Sequence, residues 1–280
     1  TGLSNVTQSV ELTHGDAHSL LLQMTTTAKN NEDIPDVVVR VLDEDQNLVT
    51  SGTPQITLSG ADLTGTLVRN ASGGIATFTT LRFVGDVATV KYITATLASP
   101  SITSNQVTVT LSHGDATQMA LTTSASGAIN RAGISQVPVV TLRDISGNPV
   151  LDSTATVTVS ETSVGSAAAD ISGTVSRTPV NGVVTFTGLG LNGQVGQYTL
   201  TFSTTGLTNL TQTITLTHGA AVKLEIAASA DTARSGIDFV SQPVIHVLDF
   251  DDNLVTTGGG SSATVTAALF GANPSEITLF

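Results

Sequence analysis

The sequence predicts an all-β chain built as a tandem array of β-sandwich repeats, and three observations carry that expectation. A Leu-(Thr/Ser)-His-Gly signature recurs at residues 12–15, 111–114 and 216–219. Recurrence about every hundred residues marks a domain array, each unit being of ordinary domain size. Between the signatures, short runs alternate apolar and hydroxyl side chains, the period of a strand with one buried face. No stretch of about a dozen residues keeps a helical period, and clusters of Gly, Asn, Asp and Ser separate the runs.

The repeats can be laid over one another. Residues 1–15 match residues 205–219 at a constant offset, with Val for Leu or Ile and Ser for Thr. Val41-Leu42-Asp43 with Asn47, Leu142-Arg143-Asp144 with Asn148, and Val247-Leu248-Asp249 with Asn253 fall into the same frame. The expected units are residues 1–13, the last strand of a preceding repeat, then 14–112 and 113–217, two full repeats, and 218–280, a partial one. Two arrangements of the ends stay open. The chain is a window of a longer array, or residues 1–13 of one subunit complete the third repeat of the next by strand exchange.

Taken in order, Val6, Val10 and Leu12 give residues 1–13 a strand pattern. Leu20, Leu22 and Met24 form one apolar face, and residues 29–33 a polar loop. Residues 37–42, nearly all Val, suit a central strand; a turn over Asp43 to Asn47 follows. Further strands start at Ile56, Ile75, Tyr92 and Gln106. The second repeat alternates most cleanly, with Tyr198, Leu200 and Phe202 on one parity and Ile214 and Leu216 on the next run. Thr between them is β-branched and favours extended backbone. About seven such runs per repeat is the pattern of an immunoglobulin-like sandwich.

Composition narrows the function classes. Aromatic residues are 4% with no Trp, so the cores must be aliphatic, and an aromatic platform for sugars is not expected. Charged residues are 11%, against roughly 25% in an average soluble chain. The polar surface is instead Thr and Ser, suited to crowded packing or to carrying sugars. Net charge is −12 and the ten basic residues are scattered, which argues against nucleic acid and against an anionic membrane surface. No apolar run reaches membrane-spanning length, so no membrane insertion is expected in this segment. Zero cysteines exclude disulfides and thiolate metal sites.

Val139-Val140-Thr141-Leu142-Arg143-Asp144-Ile145-Ser146-Gly147-Asn148-Pro149-Val150 is followed by Asn181-Gly182-Val183-Val184-Thr185-Phe186 and Gly196-Gln197-Tyr198-Thr199-Leu200-Thr201-Phe202. These stretches resemble the bacterial immunoglobulin-like repeats of invasin- and intimin-type surface proteins. The resemblance implies an extracellular or cell-surface protein whose repeats serve as stalks, binding tips or building blocks of surface layers. Glu44-Asp45-Gln46 and Phe250-Asp251-Asp252 depart from its Ser-Gly type turn, and an added role is expected of those loops.

The candidate sites are few. Asp43, Asp45 and Asn47, and likewise Asp249, Asp251 and Asn253, place oxygen ligands at alternating positions, the pattern calcium favours. An EF-hand is excluded, because loop position 6 is Leu48 or Leu254 where Gly is required. A looser calcium site stands against a plain turn in which Asp and Asn bond to their own backbone. His14, His113 and His218 sit too far apart to share a metal; the expected role of each His-Gly is a turn, with Gly supplying an unusual φ. Convergent catalytic groups are missing, so no enzyme activity is expected. The expected job is mechanical. Either the repeats self-associate into a surface layer, sheath or filament, or they form the stalk of an adhesin whose cell-surface or glycan ligand binds flanking domains.

Overall fold

The computed structural model describes residues 2–268. Thr1 and residues 269–280, the last part of the expected third repeat, lie outside the described residues. The described chain is all-β, as the alternation predicts.

The first repeat holds β1 (Ser19–Gln23), β2 (Thr27–Lys29), β3 (Val37–Leu42), β4 (Gln55–Ser59), β5 (Leu63–Thr64), β6 (Val68–Asn70), β7 (Ile75–Phe78), β8 (Arg82–Phe83), β9 (Lys91–Leu97), β10 (Ile102–Thr103) and β11 (Val107–Ser112). One sheet runs β1-β3-β7 and the other β2-β11-β9-β4-β6, with β10 on β9 and a separate β5-β8 pair. The second repeat holds β12 (Gln118–Thr123), β13 (Ala128–Ile129), β14 (Val139–Arg143), β15 (Val157–Val164), β16 (Ala169–Ser172), β17 (Ser176–Arg177), β18 (Val183–Thr185), β19 (Gly190–Gly193), β20 (Gly196–Ser203) and β21 (Leu210–Thr217). Its sheets are β12-β14-β18 and β13-β21-β20-β15-β17, the same order as in the first repeat.

In each repeat the entering chain serves both sheets. β1 pairs antiparallel with β3, then the chain crosses and β2 pairs parallel with β11, Leu111 opposite Ala28. β12 and β13 repeat this, with Ala128 opposite Leu216 in parallel. About seven expected runs therefore become a seven-strand framework with short edge strands added by the loops.

The cores follow the alternation. Val37, Val39 and Val41 point inward from β3 against Ile56, Phe78, Phe83 and Ile93. In the second repeat Leu142, Val159, Tyr198, Leu200 and Phe202 make the matching cluster, with the Phe186 and Phe202 rings 5.5 Å apart. Each such side chain contributes about 1.5–3 kcal/mol by leaving water. One core position departs. Lys91, 2% exposed, stands opposite Val109 where Tyr198 stands opposite Ile214. Tyr198 satisfies its hydroxyl on the Gln194 carbonyl; Lys91 satisfies its ammonium on Asp62 and Thr89. Burial of a polar group requires such partners.

The third repeat contributes β22 (Lys223–Ala228) and β23 (Val244–Leu248), an antiparallel pair. Leu224, the counterpart of buried Met119, is exposed because no opposing sheet lies among the described residues. Residues 2–13 make no ladder, and Leu3, Val6, Val10 and Leu12 are fully exposed. The strand pattern read there is thus not realised among the described residues. A strand needs a neighbour to bond, and β21, its counterpart, has β20 on one side and β13 on the other. Among the described residues no helix is long and apolar enough to cross a membrane.

Candidate functional site at the repeat junctions

The site is built from three copies of one turn, which follows β3, β14 and β23. Asp43, Asp144 and Asp249 each donate a backbone N–H to the carbonyl of the Asn four residues on, all at 2.9 Å. The Asp carboxylate then folds back onto the turn. Asp144 Oδ1 accepts the N–H groups of Ser146 (3.0 Å) and Asn148 (2.9 Å). Asp249 Oδ1 accepts those of Asp251 and Asn253, both at 3.0 Å. Asp43 Oδ1 accepts that of Asn47 at 2.7 Å. The second oxygen holds the His-Gly signature: the N–H of Gly15, Gly114 and Gly219 reaches the Oδ2 of Asp43, Asp144 and Asp249 at 2.8, 3.0 and 2.7 Å. Each histidine fastens the same corner. His218 Nδ1 bonds the Gly219 carbonyl at 2.9 Å while its Nε2 accepts the Thr257 N–H at 3.2 Å, and His14 does the same with Gly15 and Ser51.

Asp144 and Asp249 then reach the repeat before them. The Asn30 amide, at the tip following β2, donates to Asp144 Oδ2 (2.8 Å) and Ser146 Oγ (2.9 Å), and its carbonyl oxygen accepts the Gly85 N–H at 3.0 Å. Asn148 returns the favour. Its amide donates to the Gly85 carbonyl at 3.0 Å, and its oxygen accepts the Val87 N–H at 3.2 Å. The second junction repeats this bond for bond. Asn130 donates to Asp249 Oδ2 and to Asp251 Oδ2, both at 2.9 Å, and accepts from Gly193 at 2.8 Å. Asn253 donates to the Gly193 carbonyl at 2.9 Å and accepts from Val195 at 2.7 Å. Arg131 adds a two-pronged bond to Asp251 (2.6 and 2.8 Å) and lies 3.8 Å over the Phe250 ring. That is the added role of the loop departing from the Ser-Gly turn. Asp144, Asn148, Asp249, Asn253, Asn30 and Asn130 are all buried.

The glycine explanation needs correcting. Gly15, Gly114 and Gly219 do not have positive φ. What they provide is room: a Cβ on Gly114 would stand 2.2 Å from the Asn30 carbonyl oxygen, and one on Gly219 2.7 Å from that of Asn130. Backbone from the preceding repeat comes to within contact of the glycine, which only a residue without a side chain permits. A positive φ is found instead one residue after the asparagine, at Asn31 and Arg131, where the tip turns back.

The electrostatics follow from these donors. Burial opposes ionisation of Asp144 and Asp249, yet the Asn amides and the glycine N–H groups outweigh it and hold both carboxyls below the usual range. A group depressed in the folded state stabilises above its unfolded pKa and loses that contribution as pH falls through the folded one. Junction stability is therefore expected to be level from pH 7 to about 5 and to decline below about 4. Calorimetry across that range checks it; a decline already complete at neutral pH would contradict it.

The structure brings Asp249, Asp251 and Asn253 together around the Asn130 amide, and folds Asp43 and Asn47 onto their own turn, with Asp45 exposed between them. Around Asp249 the oxygens that calcium would take already accept N–H groups, and among the described residues no three His, Asp or Glu side chains cluster as metal ligands. The melting temperature is expected to be the same in calcium and in chelator; a rise with calcium would restore the cation reading. The asparagines Asn30 and Asn130 were not singled out from the sequence. Their signal is their placement four residues before Ile34 and Ile134, in the same frame in both repeats.

No family model matches the chain, and no curated protein matches it. Solved structures similar to it include the Escherichia coli adhesin FdeC (17% identity, 86% of this chain and 77% of that one, TM-score 0.42). The Yersinia pseudotuberculosis adhesin InvE is similar at 15% identity (78% and 65%, TM-score 0.32). The S-layer protein SbsC shares 14% (87% and 32%, TM-score 0.32). A β-glycosidase from Bacteroides vulgatus also matches over 72% of this chain, which spans only 25% of that enzyme. All of these TM-scores lie below 0.5, so the tandem all-β sandwich architecture rests on the chain's own sheets.

Proposed function

We propose that this chain is a stiff segment of a microbial surface protein, a rod of immunoglobulin-like repeats whose role is mechanical and not catalytic. The observation that supports this reading is the junction, built twice from the same buried asparagine–aspartate bonds. Flexible linkers need no such bonds, and interfaces between loosely joined domains are seldom replicated atom for atom. Bonds made from both sides of each junction fix the bend and twist of one repeat on the next.

Within that role the primary reading is a structural component that self-associates into a layer, sheath or filament, favoured by the sparse charge and the hydroxyl surface. The alternative is the stalk of an adhesin; end-to-end junctions alone suffice for it. Residues 1–13 are read as the closing strand of another repeat, by their match to β21. Electron microscopy of the purified protein separates the jobs. Ordered lattices or filaments support the structural component, and isolated thin rods at high concentration support the stalk. Beads that bend freely at residues 113 and 218 would overturn the rod itself.

A further inference from the structure

We infer that the Asp43–Asn47 turn is a docking surface for the tip of another repeat of this kind, one carrying Asn followed by a basic residue in the left-handed conformation. The inference rests on the rod reading above and names the partner of one further junction.

The first turn has the same Asp–Asn and Asp–Gly bonds as the other two. Asp43 is 3% exposed, holds Gly15 and Asn47 as Asp144 and Asp249 hold their counterparts, and is kept below the usual carboxyl range chiefly by the Gly15 N–H. What differs is its outer side. Asn148 and Asn253 are buried under the preceding repeat, whereas Asn47 is exposed. Among the described residues Asp43 Oδ2 receives no amide of the Asn30 or Asn130 type, and Asn47 has neither the carbonyl acceptor that Gly85 and Gly193 provide nor the N–H donor of Val87 and Val195. Gly15 is open where the other two glycines are crowded: a Cβ there would meet nothing nearer than Asp43, at 3.6 Å. A glycine at this corner serves a purpose only if backbone approaches it.

The turn also selects the tip. Ser146 meets Asn30, which the neutral Asn31 follows, while Asp251 meets Asn130-Arg131 with a carboxylate for the guanidinium. Asp45 occupies the Asp251 position, so the tip it fits is of the Asn130-Arg131 type, with Arg or Lys after the Asn.

The test lengthens the chain. A second copy of residues 115–217, which contains a complete core and its own closing strand, is joined ahead of His14. Hydrogen exchange then reads the graft's Val195 amide and the Asn47 turn. Docking is expected to slow exchange at both, and Gly15→Ala, silent in the original chain, is expected to restore it by roughly tenfold or more. Arg131→Ala in the graft alone should weaken the protection through Asp45. Gly114→Ala serves as control. If Gly114→Ala loosens its own junction while Gly15→Ala changes nothing in the lengthened chain, the docking inference is overturned and the rod stands. If neither change is felt, the rod reading fails with it. A graft whose own core fails to protect is replaced by residues 115–204 joined to Thr1, where residues 2–13 serve as the closing strand.

Discussion

Asp144→Ala is expected to cost the second repeat about 3–5 kcal/mol. The carboxylate is 1% exposed and accepts the N–H groups of Ser146, Asn148 and Gly114 together with the amides of Asn148 and Asn30. Alanine leaves the N–H groups of Ser146, Asn148 and Gly114 without this acceptor, while the Asn30 and Asn148 amides keep only Ser146 Oγ and the Gly85 carbonyl. Urea unfolding with peptide-level hydrogen exchange locates the loss: the turn after β14 and the His113-Gly114 corner should open before the core. Asn30→Ala, by contrast, removes the bonds to Asp144 and Ser146 across the junction and one bond, from Gly85, within the first repeat. It should cost about 1–2 kcal/mol and leave the second repeat's core protection unchanged. A loss equal to that of Asp144→Ala would mean the carboxylate matters for the junction alone.

Gly114→Ala comes next, with an expected penalty of about 2–4 kcal/mol in coupling between the first two repeats. The added methyl has backbone for a neighbour, so no side-chain rotation relieves the overlap and the repeats must part. Parting breaks the Asn30–Asp144 and Asn148–Gly85 bonds together. Small-angle scattering should report a less extended and more variable particle, with each core still folded. In the original chain Gly15→Ala is the internal contrast. With φ unrestricted and ordinary contacts at 3.6 Å, it should be neutral or stabilising by up to about 1 kcal/mol, through the entropy of the unfolded chain. Equal effects at the two glycines would refute the close-approach account.

The fold was legible from sequence because its signals are local. Alternation in residues 198–202 and 213–217 places Tyr198, Leu200, Phe202, Ile214 and Leu216 inside without reference to anything distant. The turn at Asp144 was legible for the same reason, since Asp and Asn bond their own backbone within a few residues. The junction was not. Asn30 meets Asp144, and Asn130 meets Asp249, only after two sandwiches have formed and been set end to end. Alternating oxygens around Asp249 have the spacing of a calcium loop in the sequence, which gives no sign of the Asn130 amide lying among them. The His-Gly signature was legible as a boundary but misjudged in mechanism. Conformational freedom and clearance both call for glycine, and a sequence does not separate them.

The parallel pairing of β2 with β11, and of β13 with β21, sets how the array bears tension. In each case the entering strand and the leaving strand run side by side in one direction, so the chain enters at one pole of the sandwich and exits at the other. A force applied along the array then slides these strands lengthwise past each other. The bonds between them, such as Asn30 to Ser112 and Asn130 to Thr217, are strained simultaneously and not peeled one after another. Slippage needs all of them to fail at once, and the tips they anchor are the same asparagines that grip the next repeat. Tension along the chain thus passes through the junction asparagines into the strand pair best oriented to resist it.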